Sequence, residues 1–127
     1  MQPNMEILNR RFNVISAYES TTNSDPIILE KGDQVVLKEK SEELSQWENW
    51  ICCISQRTGK EGWVPTQILE INGDKGVSLT NYSAYELTVE IGDVLIAYKE
   101  LNGWIWASRL DDMTEQGWVP LENVVAA

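Results

Sequence analysis

The tetrapeptide Gly-Trp-Val-Pro stands twice in the chain, at residues 62–65 and 117–120. Each copy follows a Gly-Asp pair, Gly32-Asp33 or Gly92-Asp93, and an apolar run opened by Trp50 or Trp104. Three landmarks repeated in one order mark a duplication, and superposing them lays residues 14–71 on 77–125. At roughly 50 to 60 residues, each copy is longer than most solenoid units, which run about 20–50, so each is expected to be a small domain. The expected layout is a tail at residues 1–12, a first domain at 13–71, a linker at 72–76 and a second domain at 77–127. A domain of about 60 residues buries only about 60% of its unfolded surface, so the two are expected to support each other across a five-residue linker.

The fold class reads as all-β. Short runs rich in Val, Ile, Trp and Tyr (residues 35–38, 50–55, 62–64, 94–98, 104–108 and 117–119) are separated by polar, Gly- or Asn-containing breaks. That spacing predicts two small five-stranded barrels in tandem, with only single helical turns after Pro65 and Pro120. Thr58-Gly59-Lys60 and Asn102-Gly103 read as tight hairpin turns, and residues 111–115 as a longer one. Residues 5–11 can form a helical turn or two with Asn4 as N-cap, but a segment this short is marginal in water and defaults to a flexible tail. Strand alternation puts Ile51 and Cys53 on the core face with Val35, Leu37 and Val64, and the same logic selects Leu95, Ala97, Ala107 and Val119. Trp50 and Trp104 then point away from the core, where an aromatic wall for a ligand gives them a reason to be.

Charge narrows the partner class. The formal net charge is −10 and no basic stripe is present to neutralise phosphates, which argues against nucleic acid or an anionic membrane and towards a neutral or cationic partner. Residues 1–12 lack the apolar core of a signal peptide, and no run approaches the roughly 20 apolar residues of a membrane span, so the chain reads as cytoplasmic. The two cysteines, Cys52 and Cys53, are neighbours on one strand and face opposite ways; with no histidine and no third cysteine, neither a disulfide nor a metal site is expected. No cofactor motif is present. General acid–base work would fall to a pair such as Asp111-Asp112 on an exposed turn, so the chain is not expected to be an enzyme.

These landmarks resemble those of the Src-homology-3 (SH3) family. The family's opening Ala-Leu-Tyr-Asp-Tyr motif is matched by residues 14–18 and 78–82, and its Leu-x-Phe-x-x-Gly-Asp motif by residues 27–33 and 87–93. The tryptophan-led strand and the Gly-Trp-Val-Pro motif follow in both copies, so the resemblance runs from Val14 to Val125. It implies a shallow aromatic groove that holds a peptide in the stiff polyproline II conformation, with acids of the first long loop, the RT loop, pairing with a basic residue of that peptide.

Carried over by position, the groove of the first copy is Ser16, Tyr18, Trp50, Pro65 and Ile68, with Glu19 and Asp25 as RT-loop acids. That of the second is Thr80, Tyr82, Trp104, Pro120 and Asn123, and Trp63 and Trp118 of the tetrapeptides are further candidate ligand contacts. Ser16 and Ile68, like Thr80 and Asn123, stand where the family has tyrosines, which counts against ordinary Pro-x-x-Pro binding. Eight residues separate Tyr18 from Ile27 but only four separate Tyr82 from Leu87, and the loop before Trp50 is long and acidic, with Glu42, Glu43, Trp47 and Glu48. The first copy is therefore expected to dominate binding of a protein or peptide partner of basic, proline-containing character. A regulatory or immunity-type protein that binds a folded partner through its acidic surface is the alternative.

Overall fold

The computed structural model describes residues 6–20, 25–38 and 49–127, with residues 6–9 described by backbone alone. The acidic loop before Trp50, with Glu42, Glu43, Trp47 and Glu48, lies outside the described residues, as does Asn4.

All regular structure among the described residues is β apart from two 3₁₀ turns, Thr66–Ile68 and Leu121–Asn123, which follow Pro65 and Pro120 as expected. The strands are β1 (Glu6–Val14), β2 (Ile28–Leu29), β3 (Gln34–Leu37), β4 (Trp50–Ser55), β5 (Glu61–Pro65), β6 (Leu69–Asn72), β7 (Lys75–Ser78), β8 (Tyr82–Ser83), β9 (Val94–Leu101), β10 (Trp104–Arg109), β11 (Asp112–Pro120) and β12 (Val124–Ala126). They form two five-stranded antiparallel sheets, ordered β5-β4-β3-β7-β6 and β11-β10-β9-β1-β12, and a small β2-β8 pair. Both sheets are open rather than closed barrels, since their edge strands do not pair with each other.

The two compact units do not follow the two copies of the sequence. One, here called the continuous unit, holds the described residues 25–38 and 49–84. The other, the split unit, joins residues 6–20 to 85–127. Each unit has thus taken its opening strand from the other copy: β7, from the start of copy two, lies between β3 and β6, and β1, from the start of copy one, lies between β9 and β12. In the continuous unit β7 is the last strand of the five-stranded sheet in chain order, and the unit's described residues fall in the chain between the two segments of the split unit.

Three expectations change with this topology. The stretch 72–76 is no linker: β6 and β7 form a hairpin with Asn72 opposite Lys75, turning on Gly73-Asp74, where Gly73 has φ 68°. Residues 6–11 are strand, neither helical turn nor tail, because β9 offers them a ladder from Glu6 opposite Glu100 to Asn13 opposite Val94; a paired edge overrides weak local propensity. The described residues 19 and 20 belong to the split unit and 25 and 26 to the continuous unit, and the chain returns to the split unit between residues 84 and 85, so neither Tyr18 and Ile27 nor Tyr82 and Leu87 lie in one unit. The second-copy hairpin also turns earlier than expected, at Leu110-Asp111 between Arg109 and Asp112, with residues 113–115 taken up in a strand bulge.

The split unit's core packs Phe12 and Val14 of β1 with Leu87, Val89, Leu95, Ala97, Ile105, Ala107, Val119 and Val124. In the continuous unit Ile27, Leu29, Val35, Leu37, Ile51, Cys53, Val64, Ile68 and Leu69 are buried. The residues chosen by strand alternation all point inward. Gly117 is required by close approach, since a Cβ there would lie 2.7 Å from the Leu87 backbone nitrogen. Asn102 (φ 53°) and Gly103 (φ 86°) take the positive φ pair that a two-residue hairpin needs.

Candidate functional site

In each unit the tryptophan that opens the central strand stands opposite the proline of the tetrapeptide, Trp50 against Pro65 and Trp104 against Pro120. The backbone before each tryptophan is pinned to the 3₁₀ turn: the Thr66 N–H donates to the Asn49 carbonyl (2.8 Å) and the Leu121 N–H to the Gly103 carbonyl (2.9 Å). Core residues on either side, Ile51 and Ile105, leave both indoles on the outer face, half-buried.

The tyrosines that accompany them are exchanged. Tyr18 is held in the split unit by reciprocal backbone hydrogen bonds with Val89 (3.0 and 2.9 Å). Its ring meets Trp104, not Trp50, edge to face at 5.8 Å between centroids and 83° between planes. Its hydroxyl donates to Glu86 Oε1 (2.7 Å). Burial first, then that carboxylate, push the Tyr18 hydroxyl well above the usual tyrosine range, so it stays protonated and donates. Tyr82 lies in the continuous unit with Trp50; it is buried, and its hydroxyl donates to the Trp63 carbonyl (3.1 Å). The expected pair of Tyr18 with Trp50 is therefore not formed, because β1 carries Tyr18 into the other sheet.

Several candidate residues turn inward. Asn123 is only 9% exposed and gives its side-chain amide to the carbonyls of Ser16 (3.0 Å) and Ala17 (3.1 Å), so it ties the opening segment down rather than facing a ligand. Ile68, Pro65 and Pro120 are buried and form the floor behind the tryptophans. Trp118 is 3% exposed and packs edge to face on Trp106 at 5.3 Å, while Trp63 stays half-buried. Asp25 pairs with Lys60 of its own unit (3.1 Å). Glu19 remains exposed beside Tyr18.

Sequence reasoning missed Glu86, Trp106 and Lys99. Trp106 was legible from alternation, two residues beyond Trp104 on the same face. Across the strands Lys99, Trp106 and Trp118 stand in one row, and the Lys99 ammonium lies 5.5 Å from the Trp106 centroid and 5.8 Å from that of Trp118. The Trp106 indole N–H donates to Gln116 Oε1 (2.9 Å). Behind this face Arg109 donates to the Thr88 carbonyl (2.8 Å) and to Glu115 Oε1 (2.7 Å), and the Tyr85 hydroxyl donates to Glu115 as well. These bonds brace the segment that carries Glu86. In the split unit Tyr18, Trp104 and Trp106 are thus each half-buried, with Glu86 on the Tyr18 hydroxyl and the Lys99 ammonium over Trp106.

Among the described residues no helix is long and apolar enough to cross a membrane. No curated protein and no solved structure matches the chain. The family model described as variant SH3 domain matches it twice, over residues 11–72 and 78–126. With both copies matched over most of the sequence, the chain belongs to the variant SH3 domain family, as a tandem member.

Proposed function

We propose that the chain docks a basic segment of a partner protein on the Tyr18–Trp104 face of the split unit. SH3 domains generally mediate protein–protein interactions and are non-catalytic, and this reading names the surface and the chemistry. The observation that carries it is the Tyr18–Trp104 contact with Glu86 on the tyrosine hydroxyl. It sets an apolar wall beside a carboxylate, the pair of features that an Arg or Lys with its apolar stem requires. Exposed Glu19 and the net charge of −10 add long-range attraction for a cation. The sequence favours Trp50 as the dominant wall, but Tyr18 and Glu19, which support that choice, accompany Trp104 instead.

The test is a titration of a partner captured by the full chain, with wild type compared with Trp104→Ala and Trp50→Ala and melting temperatures measured beside it. Truncating a central interface tryptophan commonly costs about 2 kcal/mol or more, so Trp104→Ala should weaken binding at least roughly thirtyfold and Trp50→Ala less. Affinity should fall as salt rises towards physiological strength, where exposed charges are screened over about 8 Å. Loss of binding with Trp50→Ala but not with Trp104→Ala, in folded proteins, overturns the reading.

A further inference from the structure

Lys99 sits oddly in so acidic a chain. Lys38, Arg57, Lys60 and Arg109 each lie against a carboxylate, and Arg10, Arg11, Lys31 and Lys75, which form no ion pair among the described residues, are exposed. Half-buried Lys99 has no carboxylate within ion-pair reach among the described residues and lies over the Trp106 and Trp118 rings instead. Burial alone pulls its ammonium below the usual lysine range. Two ring faces offset part of the lost hydration, but they leave the three N–H donors of an ammonium without a full set of acceptors. A carboxylate supplies those acceptors in charge-assisted bonds, and does so best where water is already partly excluded.

We propose that Lys99 is a specificity-determining residue of the split unit's aromatic face and receives an acidic side chain of the bound segment. The inference rests on the docking reading above and deepens it. Trp106, paired with Lys99, follows Trp104 by two residues on β10, a step of about 7 Å. An extended ligand covers that step in about two to three residues. The segment that fits therefore carries an acidic residue about two to three positions from the residue that packs on Trp104.

The experiment is selection from a random peptide library displayed on phage against the immobilised full chain, repeated with Lys99→Glu and Lys99→Met, each first shown to melt cooperatively. Wild type is expected to enrich peptides that carry both a basic residue and an acidic residue. Lys99→Met should keep the basic residue and lose the acidic preference, and Lys99→Glu should replace the acid by a base. A wild-type-selected peptide should bind Lys99→Glu at least roughly tenfold more weakly, as expected when a partly desolvated charge pair is reversed. Selected peptides that depend on Trp104 but show no acidic preference, or the same preference in Lys99→Glu, refute the role of Lys99 and leave the docking reading standing. Failure to select any Trp104-dependent peptide overturns both.

Discussion

Phe12 falls within the first family match, residues 11–72, but is packed into the core of the unit that holds the second, and this makes Phe12→Ala a direct probe of the strand exchange. Phe12 is 6% exposed and touches the cluster built from Leu87, Val89, Leu95, Ile105 and Val119. Removing a buried phenylalanine ring costs about 3–5 kcal/mol, including the cavity left behind. A unit of about sixty residues has roughly 3–9 kcal/mol of stability to lose, so the split unit should be driven close to unfolding. Native-state amide exchange followed residue by residue is the assay. A loss of about 3 kcal/mol accelerates exchange through unit opening by a factor of roughly 150, and this should appear in β9, β10, β11 and β12. Amides of β3, β4 and β5 should keep their protection, because no residue of their own core has changed. Phe12→Leu should show the same pattern weakly. If β3 to β5 lose protection while β9 to β12 keep theirs, β1 pairs within its own copy and the exchange is wrong.

Three further outcomes follow from particular contacts. Gly117→Ala places a Cβ 2.7 Å from the Leu87 nitrogen and 3.0 Å from the Glu86 carbonyl carbon, whereas Gly62→Ala meets chiefly the Ile27 side chain at 2.8 Å. Both should lower the melting temperature, Gly117→Ala by more, within the roughly 1–3 kcal/mol typical of overpacking, since backbone yields less than a methyl group. Cys53 is fully buried and its thiol is pushed up to about 12 by burial and then by Cys52, so an alkylating reagent at neutral pH should label Cys52 alone in the native protein and both in denaturant. Glu115 is held below the usual carboxylate range by hydrogen bonds from Tyr85 and then Arg109. A lowered folded-state value contributes stability above the unfolded value of about 4.3 that is lost as pH falls through the folded one, so Glu115→Gln should lessen the fall in melting temperature on acidification below that point.

Strands whose identity is local were legible. Alternation along Trp50–Ser55 and Trp104–Arg109 set Ile51, Cys53, Ile105 and Ala107 inward, because a half-buried strand shows its period to any reader. The partner of each opening strand was not legible, because residues 14–18 and 78–82 carry the same pattern and either fits either sheet. Asn72-Gly73-Asp74-Lys75-Gly76 was ambiguous for a related reason, since polar, glycine-bearing stretches serve linkers and hairpin turns alike. The candidate site suffered accordingly. Trp104, Tyr18 and Glu19 were named, but Tyr18 was set beside the wrong indole, and Glu86 gained meaning only when Tyr18 arrived next to it.

The β6–β7 hairpin favours the exchanged over the unexchanged arrangement. With only Gly73 and Asp74 between Asn72 and Lys75, β7 folds back on β6 as a hairpin, and a two-residue loop closes with little entropy. Once β7 fills the place beside β3 in the continuous unit, β1 has its equivalent place only between β9 and β12. Side chains then match across the copies: the amide of Asn123, from copy two, is spent on the carbonyls of Ser16 and Ala17, from copy one. In the continuous unit the corresponding turn residue is the buried Ile68, whose carbonyl accepts the Leu79 N–H at 2.7 Å. An apolar residue there offers no amide to the opening segment. Differences between the two copies therefore have to be read crosswise, each opening segment against the body of the other copy.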